Sequence, residues 1–250
     1  MRNKLLIASL LTVLSGCDKA SDEPAIQSQQ QQVTIEPASP PQISLIKKIF
    51  NPEMLGANLP YFENVTGPAR NTFSYKENEQ TNTYRVDDCD ITVNVSNGVV
   101  QSLEIEHLSP ECTFDLNPFF PNLGNGKLPM PHKMTFGQFD AFTDSGNYTA
   151  DCLIGCGNAA DPEVYENWEG SRADGNIELQ LGVVLVADSA IEASNNWENA
   201  MVKTEGEDWV IDTKFNCNHK YNNIAKQAFK NVNITSIKIG FGLTEANCNL

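Results

Sequence analysis

The chain has 250 residues, 17 basic and 32 acidic side chains, a formal net charge of −15 and 40% hydrophobic residues. That length suffices for one large core or two small ones. So acidic a surface repels phosphate backbones, which excludes nucleic acid as a partner and suits a basic protein or a cationic ligand.

Arg2 and Lys4 precede an apolar run, Leu5 to Leu14, that is too short to span a bilayer. The run closes on Leu14-Ser15-Gly16-Cys17. Small residues before a cysteine resemble the lipobox of bacterial lipoprotein signals. The resemblance implies removal of residues 1–16 and a diacylglyceryl thioether and an acylated amine on Cys17. Each buried methylene contributes about 0.8 kcal/mol, so two or more acyl chains hold a protein on a membrane almost permanently. The mature chain would have 234 residues, 15 of them basic, and a net charge of −17. No later stretch has the roughly 18 apolar residues of a membrane-spanning helix, which leaves the lipid on Cys17 as the expected attachment. Asp18 directly follows that cysteine. In enteric-type bacteria this position resembles a signal for retention in the inner membrane, so a periplasm-facing protein on the inner rather than the outer membrane is expected.

Residues 18–42 are polar, with Gln27 to Gln32 broken only by Ser28, then Pro37, Pro40 and Pro41. So little apolar content cannot repay ordering entropy, and the segment reads as a tether. A flexible coil of this length reaches roughly 30 Å.

The first folded block is expected over 43–115. Ile43, Leu45, Ile46 and Ile49 predict a short helix, and Leu59 to Val65 a second, stopped by Gly67-Pro68. A hairpin follows. Asn97-Gly98 invites a two-residue turn, but that register pairs Ile91 with Glu104 and Val93 with Ser102. A three-residue loop, Ser96-Asn97-Gly98, faces Val95 with Val99, Ile91 with Leu103 and Cys89 with Ile105, which keeps apolar residues on one face. The three-residue loop is therefore expected. Pro60-Tyr61-Phe62-Glu63-Asn64-Val65-Thr66-Gly67-Pro68 and the hairpin after it resemble the small envelope lipoproteins of the SmpA/BamE type over residues 59–106. Those carry a helix followed by a curled antiparallel sheet and accompany the outer-membrane β-barrel assembly machine.

Residues 116–176 read as an irregular connection rich in proline and glycine. Phe114, Phe119, Phe120, Phe136, Phe139 and Phe142 recur through and just before its first part. They fit either a loop sealing the core or, with Trp168, the lining of a ligand groove. From 177 to 250 the periods are clearer and predict β-α-β-α-β. Ile177, Leu179, Leu181, Val183 and Leu185 alternate as a strand. Ser189 and Glu192 form a capping-box pattern ahead of a helix toward Trp197 and Met201. Trp209, Ile211, Thr213 and Phe215 alternate as a second strand. Tyr221, Ile224, Ala225 and Ala228 share a helical face, and Ile237, Ile239 and Phe241 form the last strand.

Beyond Cys17 there are six cysteines, Cys89, Cys112, Cys152, Cys156, Cys217 and Cys248. An even number in an exported chain predicts disulfides, and sequential pairing keeps each bridge within one block. Zinc would need a second Cys or His pair at ligand spacing, whereas His107, His132 and His219 stand apart. The fold class expected is α+β: antiparallel, hairpin-based sheets with short helices on one face, stapled by disulfides, in one unit or two small subdomains.

No nucleophile elbow, P-loop, H-E-x-x-H or dinucleotide fingerprint is present. Asp87, Asp88 and Asp90 suit acid–base work in a cleft or a solvated strand edge. Asp140 with Asp144, and Asp174-Gly175-Asn176, lack the spacing of a calcium loop. No cofactor, metal or catalytic residue follows. Asp161 to Asp208 holds twelve acids against Arg172 and Lys203, while Thr213 to Thr244 holds five lysines and no acid. One sign faces a partner, or the two offset each other within the fold. The sequence therefore predicts a non-catalytic lipoprotein that binds another protein, as an envelope-assembly accessory or as an inhibitor or immunity protein against an envelope-targeting toxin, with a basic envelope or toxin protein as the partner. The alternatives are a small-molecule or glycan binder and a hydrolase whose site is assembled from distant residues.

Overall fold

The computed structural model describes residues 44–121, 126–143, 146–150, 152–153, 161–170, 175–212 and 216–243. Cys17, the leader and the tether lie outside the described residues. The protein is α+β. One antiparallel sheet of eight strands takes β1 (Asn71–Lys76), β2 (Glu79–Val86), β3 (Cys89–Ser96), β4 (Val99–Ile105), β5 (Asn147–Ala150), β6 (Glu163–Glu169), β7 (Glu178–Val184) and β8 (Ser236–Gly240) in the order β1-β2-β3-β4-β8-β7-β6-β5. Among the described residues six helices accompany it: α1 (Leu45–Ile49), α2 (Leu59–Thr66), α3 (Phe136–Thr143), α4 (Asp188–Glu205), α5 (Glu207–Asp212) and α6 (Asn222–Phe229). Two meanders, β1–β4 and β5–β7, thus meet across β8 in one sheet.

Local chemistry explains the first half. Asn58 caps α2 by accepting the Tyr61 N–H at 2.9 Å, Pro60 sits in the first turn, and Gly67 (φ 82°) ends it. Strands β1 to β4 are joined by two-residue turns with Asn78, Asp87 and Asn97-Gly98 at positive φ. The three-residue loop expected between β3 and β4 is corrected accordingly. Ser96 pairs with Val99 and Val95 with Val100, after which the register shifts so that Asn94 faces Ser102 and Val93 faces Leu103. Gln101 is the extra residue of a β-bulge. Val100, Leu103 and Ile105 are all buried although their spacing is odd, and the bulge restores the phase that a regular strand would lose.

The segment 116–176 is not merely a connection, because it supplies α3, β5 and β6. In the last block the second predicted strand is instead α5. Gly206 (φ 95°) stops α4, and Glu207 and Asp208 open a new helical turn at the favourable end of its dipole. Val210 is buried and Trp209 packs edge-on to Tyr221 at 5.9 Å. Thr213 and Phe215 lie outside the described residues. The capping box is also corrected: Ala187 is the N-cap of α4 and no side chain caps it. On α6, Ala225 and Phe229 are buried but Ile224 faces solvent.

The apolar rows of the sheet continue from strand to strand. Ile105 pairs with Ile237, Ile237 with Leu181, Leu181 with Glu166, and Glu166 with Tyr148. Residues from both meanders and from all six helices join one hydrophobic core. Cys89 and Cys112, both buried, are bridged with Cα atoms 5.0 Å apart, fastening the start of β3 to the chain that leaves β4. Cys152 and Cys217 are disulfide-bonded as well; Cys156 and Cys248 lie outside the described residues.

β4 and β8 approach closely where the bulge lies. The Phe241 N–H donates to the Gln101 carbonyl at 3.0 Å, and a Cβ on Gly240 would sit 2.3 Å from that oxygen and 2.6 Å from the Ser102 Cβ. Gly240→Ala must therefore push β8 off β4, and overpacking of this kind costs about 2–3 kcal/mol. A urea denaturation series on the oxidised protein checks it: the expected result is a lower midpoint with an unchanged slope.

Candidate functional site

The face of the sheet opposite the core is polar from edge to edge. One continuous row runs Asn71, Thr83, Thr92, Glu104, Lys238, Gln180, Asn167 and Asn147, each paired with the next across the ladder. Strand alternation sends these side chains away from the core. They bond to one another rather than standing free. The Gln180 amide donates to Asn167 Oδ1 at 2.8 Å, the Asn167 amide to Thr149 Oγ1 at 2.9 Å, Thr81 Oγ1 to Asn94 Oδ1 at 2.8 Å and the Asn94 amide to Ser102 Oγ at 3.0 Å. Lys238 lies 3.3 Å from Glu104. A groove of about 460 Å³ crosses the β1–β8 part of this face between Tyr75, Asn94, Ser102, Lys238 and Phe241. Ser102, Gln180 and Thr149 are buried within this lattice, so the half-buried Thr81, Asn94, Lys238 and Asn167 are the donors and acceptors it offers to a polar surface.

The two ends of the sheet differ. At β5 the outer edge is closed by side chains: the Tyr148 N–H donates to Asn222 Oδ1 at 3.0 Å, and Asn216 donates its amide to the Tyr148 carbonyl at 2.7 Å. Asn216 also accepts from the Tyr221 N–H at 2.7 Å, and Asn222 donates to Asn147 Oδ1 at 2.8 Å. At β1 every residue is exposed, and Phe73 and Tyr75 remain 69% and 50% exposed while stacked 6.5 Å apart.

A second constellation lies on the core side. Asp140 on α3 and Glu166 on β6 are both buried. The Tyr148 hydroxyl lies 3.0 Å from Asp140 Oδ2 and 3.3 Å from Glu166 Oε2, and the Gly146 N–H donates to Glu166 Oε1 at 3.1 Å. A phenol carries one proton, so it can donate to only one of the two carboxyls. The other contact is a hydrogen bond only if that carboxyl is protonated. Burial, then the charge of Asp140, raises Glu166 well above the ordinary carboxylate value, while Lys226 stands 3.3 Å from Asp140 Oδ1. Glu166 is thus the neutral member. Burial first, then both carboxyls, raises Tyr148 strongly. Above the pair is an open cleft of about 480 Å³ between α3 and α6, with Gln138, Lys226 and Lys230 at its sides. Glu166 has no exposed surface, so the pair ties α3, β5, β6 and α6 together rather than meeting a ligand. The sequence contained the signal for it, because Glu166 falls between Val164 and Trp168 on the apolar phase of an alternating segment.

The residues singled out from the sequence are dispersed. Asp87 Oδ2 accepts from Ser44 Oγ at 2.7 Å and from the Ile46 N–H at 3.0 Å, capping α1 from a distant turn, and these bonds hold its carboxyl below the usual range. Asp88 and Asp90 pair with Arg85 at 3.8 and 2.6 Å on the surface. Phe114, Phe119, Phe120, Phe136 and Phe139 are core residues, with Phe142 and Trp168 packed against Phe120, so this series seals the interior. His107 is exposed, and His132 and His219 are half-buried. Among the described residues no group of three or more His, Cys, Asp or Glu could hold a metal. Asp144, Asp174 and Lys214 lie outside them. The chain matches no protein-family model, and no curated protein or solved structure matches it.

Glu166 gives a pH prediction. Its folded pKa is raised above 4.5, so its contribution to stability is complete in acid and is lost as pH rises toward that raised value. Glu166→Gln keeps the shape without the ionisation. It is expected to match the wild type near about pH 4 and to become progressively more stable than it toward about pH 8. Chemical denaturation across that range is the measurement; a constant difference between the two proteins would show that Glu166 does not titrate this way.

Proposed function

We propose that this chain is a lipid-anchored, periplasm-facing protein that binds another protein through the open face of its sheet, without catalysis of its own. One observation carries the reading: the row of eight polar residues that spans every strand from Asn71 to Asn147. A face this wide and shallow, built of paired amides and hydroxyls, fits a folded partner better than a small substrate, which needs concavity. The lipobox at Cys17 supports the anchor, and the polar segment 18–42 supplies a tether. Among the described residues no helix is long and apolar enough to cross a membrane. The net charge of −15 favours a basic partner, an envelope component or a toxin. The helix α2 followed by the antiparallel β1–β4 meander supports the SmpA/BamE resemblance in shape, and Asp18 supports inner-membrane retention.

Two measurements test this. Cys17→Ala is expected to abolish lipid labelling and move the protein from detergent phase to aqueous phase; a variant that still partitions with detergent removes the anchor. A photo-crosslinking residue placed in living cells at Thr92, Asn94 or Asn167 on the open face is expected to give one discrete adduct, weakened at high salt. The same residue at Gln138 or Asn196 on the helical side is expected to give none. Adducts only from the helical side would place the interface elsewhere.

A further inference from the structure

We propose that the β1 edge is a strand-addition site, which accepts an extended segment of the partner protein as a ninth strand. This rests on the protein-binding reading above and names how that partner is held. An open sheet edge is a template for pairing, and proteins normally blunt or cover it. Here the β5 edge is closed by Asn216 and Asn222, whereas the opposite edge keeps six exposed residues.

The direction of the β1 backbone groups follows from the ladder. The Asn97 N–H donates to the Asn78 carbonyl at 2.8 Å, so Asn78 and, by alternation, Gln80 and Asn82 direct their backbone groups toward β3. Thr81 and Thr83 then bond to β1, through their partners Phe73 and Asn71. Thr72 and Ser74 are left with N–H and C=O groups pointing outward. An incoming strand takes those groups, and its side chains on the open face lie beside Phe73 and Tyr75. Strand addition gains affinity from the main chain and selectivity from such alternate side chains. Lys76 and the irregular register after Ser74 limit the added strand to the length of β1.

Charge decides between two occupants. A two-fold antiparallel pairing of β1 with a second copy, centred on Phe73, would set Lys76 against Arg70, cation against cation. Lys76 lies 3.6 Å from Glu79 and Arg70 3.9 Å from Asp90, but the two cationic side chains stay 72% and 62% exposed, so a partner segment with a carboxylate at each end and apolar side chains at alternate inner positions still meets both. The occupant is therefore such a segment of another protein. The groove from Tyr75 to Phe241 begins at this edge, so residues beyond the added strand continue onto the polar face.

The full chain in detergent micelles is titrated with a capped peptide, Asp-Val-Thr-Phe-Thr-Val-Asp, and with its Lys-ended counterpart. The acidic peptide is expected to bind and to slow hydrogen exchange at Thr72 and Ser74, and the basic-ended one to bind at least about tenfold more weakly. Ser74→Pro removes an outward N–H without breaking the β1–β2 ladder, a place where an edge strand tolerates proline. That variant is expected to keep its thermal melt and lose at least about tenfold in affinity. Phe73→Ala checks the side-chain part by the same titration. No binding at about 1 mM peptide, or equal binding by Ser74→Pro, overturns strand addition. So does a dimer of the full chain that Ser74→Pro dissolves, because the edge then belongs to a second copy. If open-face crosslinks in cells persist in Ser74→Pro while the peptide fails, strand addition falls and the protein-binding reading stands. Absence of those crosslinks in the unaltered chain removes that reading itself.

Discussion

The pairing of β4 with β8 is the constraint on which the rest of this molecule depends. It joins Leu103 to Ile239 and Ile105 to Ile237 at the middle of the sheet, so the apolar faces of the two meanders become one surface. Without it, each meander would end in an unpaired edge lined with buried-type side chains, and the helices would cover two separate small cores. Burial rises with size, so one merged core is more stable than two halves of it. The contact also has a steric requirement. Gln101 bulges out of β4, its carbonyl turns to Phe241, and only a residue without a side chain fits at Gly240. β8 is the last described element, and its two neighbours come from opposite halves of the chain. A strand pairing of such long range must overcome a large loop-closure entropy before it is rewarded. The disulfide between Cys89 and Cys112 fastens the start of β3 to the chain leaving β4, which holds the β4 side of that pairing in place.

Once the sheet is single, its two faces divide the chemistry. The core face tolerates one break in its apolar rows, at Glu166, and the break is matched by a neutral carboxyl, a tyrosine hydroxyl and Asp140 with Lys226. A buried, half-satisfied network would be worse than an apolar one; here each member has a partner on a different element, so the network fixes where α3 and α6 sit against β5 and β6. Tyr84 shows the same principle nearer β1: burial pushes its hydroxyl up to about 12, while it accepts from the Asn82 amide at 3.1 Å and reaches Glu63 at 3.3 Å. Polar groups on the core side therefore serve position, and on the opposite face the half-buried and exposed ones are left to serve contact.

Much of this architecture was legible in the sequence, and the exceptions share causes. α1, α2, β3, β7 and β8 were readable because apolar periodicity matched their burial. β1 and β2 carry Asn-Thr-Phe-Ser-Tyr-Lys and Glu-Gln-Thr-Asn-Thr-Tyr-Arg-Val, an edge strand and its neighbour with too few apolar positions for a period to show. The hairpin register failed at Gln101, because a bulge breaks the strict alternation on which register arguments rest. The helix α5 reads as a strand in sequence since four alternating positions are too few to separate periods of 2 and 3.6, and two of them, Thr213 and Phe215, lie outside the described residues. The phenylalanines from 114 to 142 were readable as apolar but not as core or groove, a distinction that only packing makes. The open polar face leaves no mark in a linear reading at all, because its row takes one residue from each strand.

Charge shows how composition and placement diverge. Three lysines of the basic segment are taken up in ion pairs within the fold: Lys220 with Glu205, Lys226 with Asp140 and Lys238 with Glu104. Only the first of these joins it to the acid-rich segment, whose other members go elsewhere. Glu166 is in the core, Glu163 bonds Ser236 and Tyr165 on the sheet, and Asp188, Glu192, Glu207 and Asp208 stand exposed along α4 and α5. Burial, then the nearby Glu207, raises the Glu198 carboxyl, a sign of acids crowding one another there. The opposite face of the sheet carries matched pairs, Arg85 with Asp90, Lys76 with Glu79 and Lys238 with Glu104, and also Glu169 and Glu178, which oppose each other across β6 and β7. Excess negative charge therefore stands along α4 and α5 and at the Glu169 and Glu178 end of the polar face. Such a field attracts a basic partner over about a Debye length, ≈ 8 Å at physiological salt, and raises its encounter rate. The contact itself, among amides, hydroxyls and paired ions, is short-ranged and weakly screened. Salt should thus act mainly on how fast a partner arrives, and the lattice of the open face on how long it stays.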